Sequence, residues 1–196
     1  MKFGKLFSAF VLVLSLSGCG INDIPTYEEQ AKAAWAQVES QYQRRADLIP
    51  NLVATVEGFA NQEEDVLTAV IEARASASSI QIDEDLLNNP AAFQAFEQAQ
   101  GQLTSALSRL LVTVEAYPEL TSQQNFLALQ SQLEGTENRI AVARRDYIEA
   151  VRVYNTELRT LPGHWWAVLL YPDAEPLPVF SVDPTKMEVP EVSFGS

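Results

Sequence analysis

An apolar residue recurs at every seventh position through residues 126–161, and this spacing limits what the chain can fold into. A seven-residue repeat keeps the apolar stripe of a helix turned toward a nearly parallel or antiparallel partner helix, and small side chains let the two approach closely. The repeat therefore predicts an all-α fold of long packed helices. Its members are Phe126, Leu133, Ile140, Tyr147, Tyr154 and Leu161, with Leu129, Thr136, Ala143 and Ala150 beside them.

Four segments carry helix start signals. Three have capping-box spacing, in which two side chains satisfy free backbone N–H groups, and one has an Asn N-cap followed by proline. The signals are Thr26 with Glu29, Asn61 with Glu64, Asn89 with Pro90, and Thr121 with Gln124. They predict helices at 27–59, 62–78, 90–115 and 122–161. The short turns between the first and second and between the third and fourth helices predict that each of these two pairs runs antiparallel. We expect an elongated antiparallel four-helix bundle with two long outer helices over residues 26–181.

The chain changes character after Leu161, where it reads "LPGHWWAVLLYPDAEPLPVF". Because proline opposes continued helix, we predict a C-terminal extended segment here. The aromatic and apolar side chains that would pin it to the bundle are Trp165, Trp166, Leu170 and Phe180. Residues 182–196 are expected to form a mobile tail.

Residues 1–18 have the pattern of a bacterial lipoprotein signal peptide. Lys2 and Lys5 precede the apolar run 6–16, and "LSGC" ends at Cys19. In such a lipobox the cysteine is lipidated, with palmitate among its chains, and several chains on one residue suffice for stable anchoring. The alternative is a short uncleaved anchor with an ordinary thiol. We predict lipidation at Cys19, followed by a tether over 19–25.

The chain is acidic, with a formal net charge of −13 at pH 7. Removal of residues 1–18 takes away Lys2 and Lys5 and no acidic residue, which leaves −15. Such a surface repels nucleic acid and anionic headgroups, so we predict no nucleic-acid partner and a membrane contact that depends on the anchor. Because Gly20 rather than aspartate follows Cys19, we expect the outer membrane, facing the periplasm, in a host with two membranes. Otherwise we expect the outer face of the cell membrane.

The sequence holds few side chains suited to catalysis. His164 is its only histidine and Cys19 its only cysteine, and there is no Glu-x-x-His repeat or Gly-rich phosphate loop. A metal hydrolase would have to use carboxylates around His164 alone. We therefore predict no enzymatic activity, no cofactor and no metal site.

Several basic and aromatic residues near the C-terminal half form a candidate partner surface. The arginines of the predicted fourth helix have the spacing to pair with acidic residues of the same helix, or they could form a stripe that recognises an acidic partner. The two tryptophans could serve core packing, a membrane surface or a partner. The residues are Arg139, Arg144, Arg145, Arg152, Trp165 and Trp166.

The stretch "QYQRRADLIPNLV" interrupts the apolar stripe of the predicted first helix. The stripe passes through Arg45 and meets Pro50, which cannot donate to the carbonyl of Ala46, at a cost of about 3 kcal/mol unless neighbours compensate. Because the stripe stays in phase beyond Pro50, we predict a kink rather than a break. We expect Arg45 to serve the freed carbonyl and to pair with Glu137, as a lock on helix register. The stripe is Trp35, Val38, Tyr42, Ile49, Leu52, Val56 and Phe59, and that of the third helix is likewise interrupted, at Gln100.

The stretches "AAWAQVESQYQRRADLIPNLVATVEGFANQEEDVLTAVIEARA" and "AYPELTSQQNFLALQSQLEGTENRIAVARRDYIEAVRVYN" closely resemble the LemA family. "SGCGIN" at 17–22 looks like the lipoprotein variant of its N-terminus. The resemblance implies a helical bundle tethered to a bacterial envelope, with no established enzymatic activity and with links to membrane organisation, vesicle-related processes and surface functions. The chain departs from the family pattern at Ile148, where asparagine is usual, and in "LPGHWWAVLLYP".

Two functional hypotheses follow from the anchor and the lack of catalytic groups. The first is a membrane-anchored, non-enzymatic envelope lipoprotein that acts as a helical scaffold or interaction module for another envelope protein. The alternative is a peptide or small-ligand carrier with an aromatic groove near Trp165 and Trp166.

Overall fold

The computed structural model describes residues 20–60 and 62–181, and this part of the chain is helical with no strand. The predicted all-α class is confirmed. Cys19, the signal peptide over 1–18, the capping residue Asn61 and the tail over 182–196 lie outside the described residues. The helices are α1 Asp23–Glu57, α2 Glu64–Ser79, α3 Pro90–Val114, α4 Pro118–Thr121, α5 Gln124–Arg159 and α6 Gly163–Leu170, with a short 3-10 helix, Glu84–Asn88, before α3.

The two longest helices, α1 and α5, run antiparallel. Buried residues of the first half of α1, such as Trp35, share an apolar cluster with Tyr147 and Tyr154 of the second half of α5. Leu52 of the second half of α1 shares another cluster with Leu133 of the first half of α5. These contacts fix the long axis of the molecule.

Helices α2 and α3 are also antiparallel neighbours. The Tyr117 hydroxyl, just after α3, donates to Glu63 Oε1, just before α2, at 2.8 Å. Leu67 of α2 and Leu110 of α3 lie together in the cluster that also holds the second half of α1. The apolar faces of α2 and α3 are thereby buried against α1.

The seven-residue repeat is buried as predicted until its last member. Phe126, Leu133, Ile140, Tyr147 and Tyr154 are buried, but Leu161 is exposed because α5 ends at Arg159. On α1, Phe59 is likewise exposed because the helix ends at Glu57, and the neighbouring Ala60 is buried in its place. Periodicity identified the stripes but not the residues at which they end.

The predicted helix starts were right at only one of the three described sites. The Asn89 side chain accepts a hydrogen bond from Ala92 N at 3.1 Å and caps α3. Helix α1 begins before Thr26, at Asp23, and buries Ile24 in the core, while α5 begins at Gln124 without a side-chain cap. Burial of an extra turn outweighs the local capping preference of Thr26.

The predicted extended segment is wrong over its first part, which forms helix α6. Pro162 precedes the first helical residue, where its fixed φ suits a helix start, and the helix ends just before Pro172. Residues 172–181 have no regular structure, as expected. Phe180 is buried and Trp166 is half-buried, but Trp165 and Leu170 are exposed and do not pin the segment.

Candidate functional site

A charged side chain lies at the centre of the core. Arg45 is 1% exposed. Its Nη1 donates to Glu137 Oε1 at 2.9 Å and to Thr104 Oγ1 at 3.0 Å, and its Nη2 donates to Gln100 Oε1. The structure thus brings Arg45 and Glu137 together, and it adds two partners from α3. We call Arg45, Gln100, Thr104 and Glu137 the polar layer.

The polar layer separates two apolar clusters. On one side lie Tyr42, Phe96 and Ile140, and on the other lie Ile49 and Leu103. The layer therefore joins α1, α3 and α5 at a single level, where a shift of one turn in any helix would bury the Arg45 charge against apolar residues.

Gln100 and Thr104 were not predicted as partners of Arg45. The signal for Gln100 was its interruption of the apolar stripe on α3, the counterpart of the interruption at Arg45 on α1. No sequence pattern distinguished Thr104 as a partner of Arg45, because an exposed threonine on a helix is common. The Thr104 hydroxyl also donates to the Gln100 carbonyl at 3.0 Å, so it acts both as an acceptor, from Arg45, and as a donor.

The environment of Arg45 is only partly dehydrated. The Glu137 side chain is 38% exposed, the Arg45 guanidinium lies 5.0 Å from the Tyr42 ring centroid, and Arg45 Nε has no partner among the described residues. Burial is the main cause that raises the pKa of Tyr42 above its usual value. A pair of this kind adds little net stability, but separating it leaves a buried charge without a partner.

Helix α1 continues through Pro50, as predicted, but Arg45 does not serve the freed carbonyl. The carbonyl of Ala46 instead accepts from Arg74 Nε of α2 at 2.8 Å. The sequence-based expectation failed because the guanidinium of Arg45 is occupied by three partners on α3 and α5, whereas the carbonyl of Ala46 is reached from α2.

At Pro162, too, a carbonyl that has lost its backbone donor to a proline accepts a hydrogen bond from a side chain. This proline cannot donate to the carbonyl of Leu158, and His164 Nδ1 lies 3.0 Å from that oxygen and donates to it. The only histidine of the chain thus has a structural partner at the turn between α5 and α6. Among the described residues, no three His, Cys, Asp or Glu side chains lie close enough to hold a metal ion.

Replacement of Arg74 by methionine is expected to lower the free energy of unfolding by about 1–2 kcal/mol, because the Ala46 carbonyl loses its donor while half shielded from water. The matched control is Arg109→Met, at an exposed position of α3, where we expect a change within about 0.5 kcal/mol. Urea denaturation followed by circular dichroism measures both. Equal effects of the two substitutions would show that the donor to Ala46 is dispensable.

Most arginines of the candidate partner surface are used within the chain. Arg152 makes two hydrogen bonds to Glu149, at 2.8 and 2.6 Å, and Arg145 lies 3.6 Å from Asp146. Arg144 lies 3.9 Å from Glu97, with its guanidinium 4.1 Å from the Phe180 ring centroid. The remaining arginine of this candidate surface is Arg139. It is exposed and lines a groove.

That groove lies between α1 and α5 and has a volume of about 320 Å³. Val142, which lines the groove, is 46% exposed, and Gln41 Oε1 is shielded from solvent without a hydrogen-bond partner in the described part of the chain. A second cavity, of about 210 Å³, lies beside the polar layer between Glu39, Tyr42, Ile80 and Gln100. Neither is lined by Trp165 or Trp166. The groove residues include Gln37, Gln41, Asn138, Arg139, Val142 and Asp146.

The segment after α6 is held against α1, α3 and α5. The Asn155 side chain donates to the Leu177 carbonyl and accepts from its N–H, both at 2.9 Å, and the Tyr147 hydroxyl donates to the Pro178 carbonyl at 2.8 Å. Burial raises the pKa of Tyr147 far above its usual value, so it stays a neutral donor. Phe180 then packs between the rings of Trp35, Phe93 and Tyr147. This strap, residues 172–181, is part of the core.

Within residues 20–60 and 62–181, no helix combines the length and hydropathy needed to cross a bilayer. Helix α6 is apolar but has only 8 residues. Two candidate surfaces are on the described part of the chain, namely the groove between α1 and α5 and the exposed side of α6.

Comparison with known proteins places these features in a family. A family model described as "LemA family" matches residues 34–194. Magnetosome protein MamQ 2 of Paramagnetospirillum magneticum and magnetosome protein MamQ of Magnetospirillum gryphiswaldense are each 27% identical over 164 residues. These alignments cover 76% of this chain and 60% of each relative, so the chain spans about three fifths of the length of the curated relatives it matches.

Proposed function

Because the chain belongs to the LemA family, we propose that it is a non-enzymatic, lipid-anchored envelope protein that acts as a scaffold for another envelope protein. In this proposal the four long helices form an elongated four-helix bundle that Cys19 holds at the membrane. The MamQ relatives are named as magnetosome proteins, and by analogy we propose that this chain also works as a part of a larger membrane-associated structure.

The groove between α1 and α5 is the observation that carries the scaffold proposal. A buried side-chain oxygen without a partner is costly, and Gln41 Oε1 would gain a donor from a bound chain. Val142 offers exposed apolar area in the groove, and Arg139 offers a guanidinium that no described carboxylate engages within ion-pair distance. An acidic or amide-bearing helix that packs along α1 and α5 has the chemistry to use all three.

The hydrogen-bond partners of His164 and Arg45 support a role without catalysis. His164 donates to the Leu158 carbonyl, and the buried Arg45 is held by Gln100, Thr104 and Glu137. These groups stabilise helix ends and packing, and a scaffold with fixed helix spacing benefits from both.

A photocrosslinking amino acid at position 142 tests the scaffold in intact cells. We expect one reproducible crosslinked protein, and we expect Arg139→Glu to weaken the crosslink because it places a repulsive charge beside the groove. The matched control is the same crosslinker at Val112 of α3, a valine of greater exposure outside the groove. The scaffold proposal fails if position 142 yields no discrete product or only the products seen at position 112.

A further inference from the structure

Helix α6 and Leu161, two residues before its start, carry several exposed apolar side chains. Five side chains within ten positions are between 50% and 70% exposed, which is unusual outside an interaction site. They are Leu161, Trp165, Val168, Leu169 and Leu170. We call these five residues the α6 patch.

The α6 patch carries no ionised side chain of its own. Between Arg159 and Asp173 the only titratable groups are His164, which is occupied by the Leu158 carbonyl, and the phenol of Tyr171. The opposite side of the helix is fixed to the core, because Trp166 and Ala167 pack against the cluster that holds Trp35. The α6 patch thus faces away from a rigid support.

The chain enters the folded domain beside the α6 patch. The Tyr171 hydroxyl donates to the Ile21 carbonyl at 3.1 Å, and a methyl group added at Gly20 would lie 3.8 Å from Pro162 Cγ. Gly20 directly follows Cys19 in the sequence. A lipid chain on Cys19 would therefore enter the bilayer close to the residues that flank α6.

We propose that the α6 patch is a second membrane contact, which inserts its side chains into the headgroup and upper acyl region of a bilayer. This inference rests on the proposed lipid anchor at Cys19. A helix of 8 residues is about 12 Å long, too short to cross a hydrocarbon core of about 30 Å, so it lies along the surface. Tryptophan favours this interface, and Trp165 is the aromatic residue of the patch.

The charge around the α6 patch favours lipids without net charge. Acidic side chains lie near the start of α6, because Glu157 lies against Gly163 and is close enough to Asp23 to feel its charge, and Asp173 and Glu175 follow α6 in the sequence. Burial is the larger cause, and Asp23 the smaller, that raises the pKa of Glu157 above its usual value. Acidic side chains at these positions oppose anionic headgroups, so the partner chemistry is a zwitterionic phospholipid surface.

Contact at two points would orient the molecule. A single anchor leaves the domain free to tilt, whereas an anchor and an adjacent inserted helix hold the α1–α5 pair upright. Gln37, the first groove residue on α1, lies fourteen positions beyond Asp23, or about 20 Å along the helix. The α6 patch would thus hold the groove at a fixed height above the bilayer.

Tryptophan quenching by brominated lipids tests the α6 patch. The full chain is produced with its own N-terminus in bacteria and placed in phosphatidylcholine vesicles that carry bromine on the upper acyl chain. Trp35 is 1% exposed, so any quenching reports Trp165 and Trp166. We expect clear quenching in the unaltered protein and a severalfold loss in the double variant Val168→Gln, Leu169→Gln.

The matched control is the double variant Val112→Gln, Leu127→Gln, at comparably exposed positions near the opposite end of the molecule. We expect its quenching to equal that of the unaltered protein, with the same helical signal in all three. Equal quenching in the α6 variant and the control overturns the inference. If the unaltered protein shows no quenching and the variant Leu169→Lys forms a chemical crosslink between two copies, the inference is also wrong, because the patch is then covered by a second copy.

Vesicle flotation separates failure of the α6 patch from failure of the anchor. Suppose that the unaltered protein floats but shows no quenching, and that Cys19→Ala reduces flotation. The lipid anchor is then supported, and only the inference on α6 is wrong. If the intact mass of the unaltered protein shows no acyl chain on Cys19, the proposed lipid anchor is wrong.

Discussion

Replacement of Arg45 by alanine is expected to lower the free energy of unfolding by about 3 kcal/mol, the lower end of the range for a broken buried pair. The substitution opens a cavity in the core and leaves Gln100 without its donor. The loss stays at the lower end because the Glu137 side chain is 38% exposed and can turn toward water. Urea unfolding followed by circular dichroism measures the change.

The neighbouring Arg44 provides the matched control. It is exposed on the same helix, so Arg44→Ala should change the free energy of unfolding by no more than about 0.5 kcal/mol. A loss of similar size at both positions would mean that the effect reflects helix propensity or net charge, and that the polar layer contributes nothing specific.

A second variant tests whether the polar layer fixes the register of the helices, separately from its effect on stability. Arg45→Met combined with Gln100→Leu removes the central polar groups together, and we expect it to fall within about 1 kcal/mol of the unaltered protein, because apolar replacement of a buried pair is often neutral. If the polar layer fixes register, amide NMR spectra of this variant should show extra peaks from alternative helix packings. A single set of sharp peaks would show that Arg45 contributes to packing but does not fix helix register.

Replacement of Phe180 by alanine is expected to cost about 3 kcal/mol, within the range for a phenylalanine removed from a core. Its ring centroid lies 5.1 Å from that of Phe93 and 5.7 Å from that of Tyr147. The Arg144 guanidinium also loses the ring on which it lies. The strap over residues 172–181 should then become accessible to protease near Leu177, which limited proteolysis measures.

Val179 is the matched control for Phe180. It belongs to the same strap but is exposed, so Val179→Ala should leave both the unfolding transition and the protease pattern nearly unchanged. If Phe180→Ala behaves like Val179→Ala, the strap is held mainly by its other contacts, which are the hydrogen bonds with Asn155, Tyr147 and Glu97 and the burial of Leu177, and the aromatic contacts are secondary.

Residue patterns predicted the helical content well because helical period is a local property. The positions that recur at steps of three, four and seven include Trp35, Phe126 and Tyr147, and these are buried. The same reasoning placed Arg45 in the core and chose Glu137 as its partner, because both lie on or beside apolar stripes. It also identified the family from the motif around Arg45 and from the motif of α5.

Helix ends were predicted less well, since they depend on free energies summed over many weak contacts. Thr26 has good capping chemistry, yet α1 begins earlier because Ile24 gains burial. The prolines after the apolar stretch predicted an extended chain, but the apolar residues of α6, which begins directly after Pro162, form a helix against the core. Local preference is worth about 1 kcal/mol at such sites, and tertiary burial exceeds it.

The sequence by itself determined the helical class, the buried faces of the long helices and the presence of one charge inside the core, because each depends on the order of apolar and polar residues along one helix. Tertiary structure alone decided that Gln100 and Thr104 complete the shell of Arg45 and that Arg74 donates to the carbonyl freed by Pro50. It also decided that the α6 patch lies beside the residues after Cys19. These pairings join residues far apart in the chain, and no local pattern encodes which distant groups meet.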